Sequence, residues 1–210
     1  SDVVYLAQEL RYLHRRLADI TGRNPNQDDL RHSVQREEAA DAVLARLHQV
    51  RKFLPYDEVD VFRLIRSREF LPSEHFVQVA EWALSQTGET PRPGTPILIS
   101  GIVPEPMTLF KALSEMGAVT VGDDLACCGR RLYPPSPDGD PFRGMALSLL
   151  SAPPDPTRGS PIHARLEHLK TLAAASGARG VIFYDVKFCE PELFDLPLLR
   201  RGLQAAGIPS

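Results

Sequence analysis

Cysteine is scarce in this chain: Cys127, Cys128 and Cys189 are the three among 210 residues. An odd, low count excludes a disulfide scaffold and points to a reducing compartment. Long apolar runs are missing as well. No stretch reaches the ~18 residues that a membrane-spanning helix needs. Ser1 to Leu10 shows no basic stretch leading into an apolar core, so no signal peptide is expected. Charge of one sign does not dominate either. Lys and Arg number 24 against 27 Asp and Glu, for a formal net charge of −3. Bulk attraction to nucleic acid or to an anionic membrane is therefore not expected. Lysine itself is rare, and the arginines are scattered, which reads as compositional bias rather than a binding patch. What is present is ordinary for a folded chain: 43% hydrophobic and 24% charged residues. That excludes disorder and collagen, and the length allows one large domain or two small ones.

Proline and glycine are thin in one part and dense in the other. Residues 1–90 hold 3 of 19 prolines and 2 of 14 glycines; the remainder falls in residues 91–210. Both residues punctuate short elements. The expected organisation is thus a helical segment over residues 1–92, then an α/β domain over residues 93–210, with the seam in Thr87 to Pro96. Leu6, Leu10, Leu13, Leu17 and Ile20 form an apolar stripe at spacings of three and four, the mark of an amphipathic helix stopped by Gly22. A second helix starts within Asn26 to Asp29 and buries Leu30, Val34, Val43 and Leu47. A third runs from about Pro72 to Ser85. His14, His32, His48 and His75 lie on these helices without ligand spacing, so they read as solvated or capping residues.

The second part alternates. Residues 97–103, 118–124 and 180–186 read as short buried strands. Pro106 to Met116, Phe142 to Leu150, His163 to Ala175 and Glu190 to Ala206 read as helices, and residues 129–141 as loop. Strands separated by helices imply a Rossmann-like parallel sheet with flanking helices. Ligands of such sheets bind outside the carboxyl ends of the strands. Three loops leave those ends: residues 100–106, 123–131 and 185–191. All three cysteines lie in the second and third loops, so the topology is expected to gather them at one edge.

The residues leave several chemistries open there. Cys189 precedes a helix start, whose partial positive charge favours thiolate, the form that binds soft metals or attacks electrophiles. Iron–sulfur ligation, a reactive nucleophile or redox pair, and a buried structural thiol all remain open readings. Adjacent Cys127 and Cys128 lack the CxxC spacing of zinc ribbons. Asp123 and Asp124 read as braces of their loop through Arg130 or Arg131, and Glu190 and Glu192 as partners of the helix dipole. Ser100 and Gly101 either admit a ligand close to the backbone or supply turn geometry. Together with Arg130 they are the candidate substrate-binding residues. The glycines form neither GxGxxG nor GxxxxGK[ST], so no dinucleotide fingerprint or P-loop is present.

Two segments, GDDLACCGRRLYP and VIFYDVKFCEPELFDLPLLRRGLQAAGIP, resemble the 2-hydroxyacyl-CoA dehydratase and benzoyl-CoA reductase family of iron–sulfur subunits. The matching features are the Asp123-Asp124 pair with a cysteine shortly after, Lys187 to Pro191, and Phe194 to Leu199. The opening helices are similar to the family's middle segment, so the likeness covers nearly the whole chain. It implies a 4Fe–4S cluster held through cysteines, with Cys189, Cys127 and Cys128 as metal-ligand candidates; one residue stands inserted between Asp124 and the cysteine, which leaves Cys127 and Cys128 as alternatives. It implies an acyl-CoA substrate, a homologous second subunit and an ATP-dependent activator that injects a low-potential electron, with cytoplasmic, anaerobic operation. The reaction is then 2-hydroxyacyl-CoA dehydration or benzoyl-CoA-type ring reduction, so a lyase or an oxidoreductase. The family has a preceding α/β domain and a further strand and helix, which makes these residues read as a fragment. Two rivals are a scaffold subunit without a complete cluster and an acyl transferase using Cys189.

Overall fold

The computed structural model describes residues 2–136 and 139–210. Pro137 and Asp138, part of the expected loop 129–141, lie outside them.

Asn26 starts the longest helix. Its side chain accepts the N–H groups of Asp28 and Asp29, and an Asp29 carboxylate oxygen accepts the Asn26 N–H at 3.0 Å. This reciprocal cap satisfies donors that helix geometry leaves orphaned. The helix, α2, runs Gln27–Val50 and buries Ala40, Val43, Leu44 and Leu47. Leu30 and Val34 are only half-buried. Leu47 is fully buried; truncating such a leucine costs roughly 2–5 kcal/mol.

Helix α1, Asp2–Thr21, precedes it and ends at Gly22, whose φ of 67° suits glycine. Only the start of its stripe is covered. Val3, Leu6, Ala7 and Leu10 pack with Phe142 and Ala146, whereas Leu13, Leu17 and Ile20 are exposed. The partner helix has 10 residues against 20 in α1. At about 1.5 Å per residue it reaches along half of that length.

Residues 51–72 hold elements that periodicity does not announce. A 3-10 turn at Arg51–Phe53 leads to α3, Glu58–Arg66, capped by Asp57, and then to a second such turn at Ser67–Glu69. Helix α4 follows at Ser73–Ser85.

The sheet has three parallel strands in the order β2-β1-β3. Strand β1 is Thr95–Gly101, β2 is Ala118–Leu125 and β3 is Val181–Tyr184. The first lies two residues earlier than expected, because Gly101, at φ 143°, turns the chain out of the strand. Helix α5, Thr108–Glu115, links β1 to β2; α6, Pro141–Leu150, and α7, Ile162–Ser176, link β2 to β3; α8, Glu190–Ala205, follows. The architecture is mixed α/β, a parallel sheet with helices on its flanks.

Side chains alternate across a strand. Ile97 and Ile99 of β1 join a core with Leu47, Leu54, Phe62, Phe76 and Phe110. Leu98 faces the other way, against Leu169, Ala173, Leu199 and Leu203. The change near residue 92 therefore marks where strands begin, but packing crosses it. Helices α2 to α4 share a core with β1 and α5, and α1 lies on α6.

Candidate functional site at the carboxyl ends of the strands

Asp123 and Asp124 end β2 and point to opposite faces. Asp123 turns toward the helical segment. Its Oδ1 accepts the Gly129 N–H at 2.7 Å and the Leu125 N–H at 3.2 Å, closing the loop that carries Cys127 and Cys128. Its Oδ2 accepts from Arg51 Nη1 at 2.6 Å, with both side chains buried. Arg51 also donates to Thr120 at 3.1 Å, and Thr120 binds Glu58, which pairs with Arg92 at 2.7 Å. Burial pushes the Asp123 carboxyl up, but His48, Arg51 and the two loop N–H groups together hold it below the usual carboxylate range. His48 Nδ1 stands 3.7 Å from Asp123. Burial outweighs that carboxylate and lowers the pKa of the imidazole.

Asp124 turns toward α7 and α8. Arg130 grips it with two bonds of 3.1 Å, and Ser100 Oγ donates to its Oδ2 at 2.8 Å. Arg130 also binds Glu192 and reaches Asp155 at 3.5 Å. Glu192 accepts from Arg165 at 2.7 Å, and Arg165 donates to Asp195 at 2.7 Å. Arg130, Arg165, Asp124 and Glu192 are all buried. Such pairs are kept because breaking one leaves a buried charge uncompensated. The expected brace of Asp124 by Arg130 is present. Asp123 takes Arg51 instead, an arginine the sequence did not single out. Glu192 stands in the first turn of α8 as expected, and it is also a buried ion-pair partner of Arg130 and Arg165.

These contacts decide where the expected substrate residues stand. Ser100 and Arg130 lie beneath the surface with their polar atoms engaged as described. Gly101 is buried too, and a Cβ there would sit 2.1 Å from the Tyr184 carbonyl oxygen. The glycine serves the close approach of β1 to β3 at the point where strand order reverses.

The thiols separate into one pair and one outlier. Cys127 and Cys128 have sulfurs 3.6 Å apart. Both line a cleft of about 400 Å³ with Glu37, Asp41, Arg68, Glu69, Arg131 and Tyr133. Cys128 is buried in the main core, and Cys127 is half-buried. Arg66 from α3 donates to the Cys127 carbonyl at 3.5 Å. The contact with Cys128 lowers the Cys127 thiol, with Arg66 assisting against burial. The same contact and burial push Cys128 well up, so it remains the protonated partner. Cys189 sits at the start of α8 in the loop after β3. Among the described residues, no three His, Cys, Asp or Glu side chains converge as a metal-ligand set. The expected gathering of all three thiols is thus not made within this chain.

A 4Fe–4S cluster takes four thiolates, and the chain holds three cysteines. Cys127 is half-buried beside Arg66, Cys128 is buried, and Cys189 is half-buried at the start of α8. The donor set here is incomplete, so no step is derived through a cluster.

The loop of Cys189 carries a further feature. Phe188 has φ 70°, a conformation costly for a side chain that is not glycine, and is 81% exposed. Lys187 lies over its ring at 4.9 Å. Phe194 and Leu198 on α8 are exposed as well. Nothing in the spacing of apolar residues announced this; the sign of φ did.

Fold and site together define the class: an α/β protein of parallel, Rossmann-like topology with a thiol-bearing loop held by buried ion pairs at its carboxyl edge. Within that class the chain belongs to the family described as 2-hydroxyglutaryl-CoA dehydratase, D-component, which it matches over residues 1–210. It is 28% identical over 209 residues to a benzoyl-CoA reductase subunit of Thauera aromatica, covering 93% of this chain and 53% of that protein. It is 25% identical to the beta subunit of lactoyl-CoA dehydratase of Anaerotignum propionicum, covering 98% and 57%. To the (R)-phenyllactyl-CoA dehydratase beta subunit of Clostridium sporogenes it is 29% identical over 121 residues, covering 57% and 32%. The chain thus spans from about a third to just over half of these relatives. Among the described residues, no helix is long and apolar enough to cross a membrane.

Proposed function

We propose that this chain is part of a subunit of an acyl-CoA dehydratase or acyl-CoA reductase, the activities that its relatives' names carry. One observation carries the reading. The cysteine loop at the carboxyl edge is clamped by Asp123 and Arg51 so that Cys127 and Cys128 both line a cleft, Cys127 half-buried and Cys128 buried. In a family of acyl-CoA enzymes, the more accessible Cys127 is read as a ligand thiol. Cys127 is the first candidate ligand and Cys189 the second, with the remaining donors supplied from outside these residues. When bound, a 4Fe–4S cluster supplies one-electron chemistry at low potential.

The chain's own contribution is to hold the Cys127 loop rigid and to keep Arg66, Arg68 and Arg131 around the cleft. Each is paired with a carboxylate, Arg66 and Arg131 with Glu69 and Arg68 with Glu37 and Asp41. The reading extends to a CoA thioester substrate, a homologous second subunit, an ATP-dependent activator as electron source, and cytoplasmic operation without oxygen. The strained, exposed Phe188 beside Cys189 supports a contact surface for the second subunit, because strain concentrates at functional sites.

Anaerobic reconstitution with iron and sulfide tests this. The chain mixed with a homologous second subunit is expected to develop the absorption near about 400 nm of a thiolate-held cluster, and Cys127→Ser to abolish it. A mixture that stays colourless sinks the cluster reading. The chain would then be better explained as a scaffold subunit.

A further inference from the structure

We infer that Cys127 and Cys128 form an oxidative modification site for hydroperoxides, closing to a disulfide between adjacent residues that reopens readily on reduction. The inference does not rest on the cluster reading, since it concerns the chain free of metal.

Three observations carry it. The sulfurs are already 3.6 Å apart, in contact. Both line an open cleft of about 400 Å³, far larger than a peroxide needs, with Cys127 half-buried and Cys128 buried behind it. That is the arrangement of an attacking and a resolving thiol. Among the described residues no three such side chains converge, so Cys189 does not join the two sulfurs in one cluster.

The steps balance. The Cys127 thiolate attacks one oxygen of hydrogen peroxide, the O–O bond breaks, and Cys127 sulfenic acid and hydroxide result. The Cys128 sulfur then displaces the sulfenic hydroxyl, forming the S–S bond. The hydroxide released from the peroxide takes up the proton that Cys127 lost on forming its thiolate, and the displaced sulfenic hydroxyl leaves with the Cys128 proton, so two thiols and one peroxide give one disulfide and two waters, with two electrons passed to oxygen. Neighbouring Cα atoms across a trans peptide are about 3.8 Å apart, below the ~4.4–6.8 Å usual for bridged cysteines. A bridge so confined is strained and more easily reduced than a structural disulfide. The loop is braced at both ends by the Asp123 carboxylate, which keeps the two sulfurs together between cycles.

The test treats the full metal-free chain with hydrogen peroxide and reads intact mass, free thiols and peptide masses. The expected result is a loss of about 2 Da, two of the three thiols gone, and the loss mapped to the peptide holding residues 127 and 128, all reversed by dithiothreitol. Cys189→Ser is expected to behave the same. Cys128→Ala, or Cys128→Ser if the alanine variant is unfolded, is expected to stop at one added oxygen on Cys127. Oxygen addition without bridging in the unsubstituted chain overturns the inference, as does a bridge that includes Cys189 or three thiols surviving peroxide. Peptide mapping of the unsubstituted chain decides even if neither Cys128 variant folds.

Discussion

The Asp123 carboxylate accepts the Gly129 N–H at 2.7 Å, and a Cβ on Gly129 would lie 2.1 Å from the Asp123 carbonyl oxygen. The cysteine loop therefore closes on itself with no space for a side chain at its far end. Gly129→Ala is expected to destabilise the chain by about 1–3 kcal/mol, the range for forced overpacking. A urea midpoint unchanged from the parent chain would refute this account of the loop.

Arg51 bonds Asp123 through a permanently charged guanidinium, and both side chains are 1% exposed. Arg51→Met leaves that carboxylate buried and without its cation, at an expected cost of about 3–5 kcal/mol. Adding Asp123→Asn removes the stranded charge, so the double variant is expected to lose less than the sum of the singles. Additive losses in denaturant titrations would show that the two groups do not act as a pair.

Stability is expected to fall in two stages as pH drops. Burial lowers the folded pKa of His48 and of His168. The unfolded chain therefore binds more protons below about pH 6.5, and stability declines from there toward each folded pKa. Asp123 has a depressed folded pKa. Its contribution is present above about pH 3.9 and is lost as pH falls from there through the folded value. Urea midpoints for His48→Gln are expected to show a shallower slope than the parent between about pH 7 and 5. Equal slopes would mean that His48 does not titrate differently on folding.

Arg130 binds Asp124, Glu192 and Asp155 in the interior. These pairs hold buried charge, so Arg130→Met is expected to lower stability by about 3–5 kcal/mol with no substrate present. Arg130→Lys is expected to restore part of this, since lysine keeps the charge but not the fork that grips Asp124. A fully stable Arg130→Met variant would return Arg130 to the candidates for ligand binding.

Phe188 is exposed with φ 70°. Phe188→Gly relieves that conformation while adding unfolded-state freedom, so stability is expected to change by less than about 1 kcal/mol. Binding to a homologous second subunit, read by calorimetry, is expected to weaken. A variant that binds as the parent does would remove Phe188 from the proposed contact surface.

Much of the fold is legible along the chain. Strands at Thr95–Gly101 and Ala118–Leu125 declare themselves as apolar runs between turn residues, and α2 by its acidic start after Asn26. Helix α3 is harder, because Glu58–Arg66 is short and sits between two irregular turns that interrupt its period. The stripe of α1 reads as a wholly buried face, yet burial depends on what lies opposite, and α6 ends halfway along. At the site, Asp123, Asp124 and the cysteines are visible as an unusual cluster of residue types. Arg51 is not, since it lies 72 residues away in a helical segment rich in other arginines.

The order of letters, by itself, marked the three strands and most of the helices, though not α3, because local periodicity and turn chemistry act over a few neighbours. It also pointed to the strand-end loops as the expected place of a site. Only the three-dimensional packing decided which arginine meets which carboxylate, and that of the two cysteines lining the cleft Cys127 is half-buried while Cys128 is buried. It also left Cys189 outside their company. Those choices turn on contacts between residues far apart in sequence, where desolvation and shape select the partner and no local pattern records it.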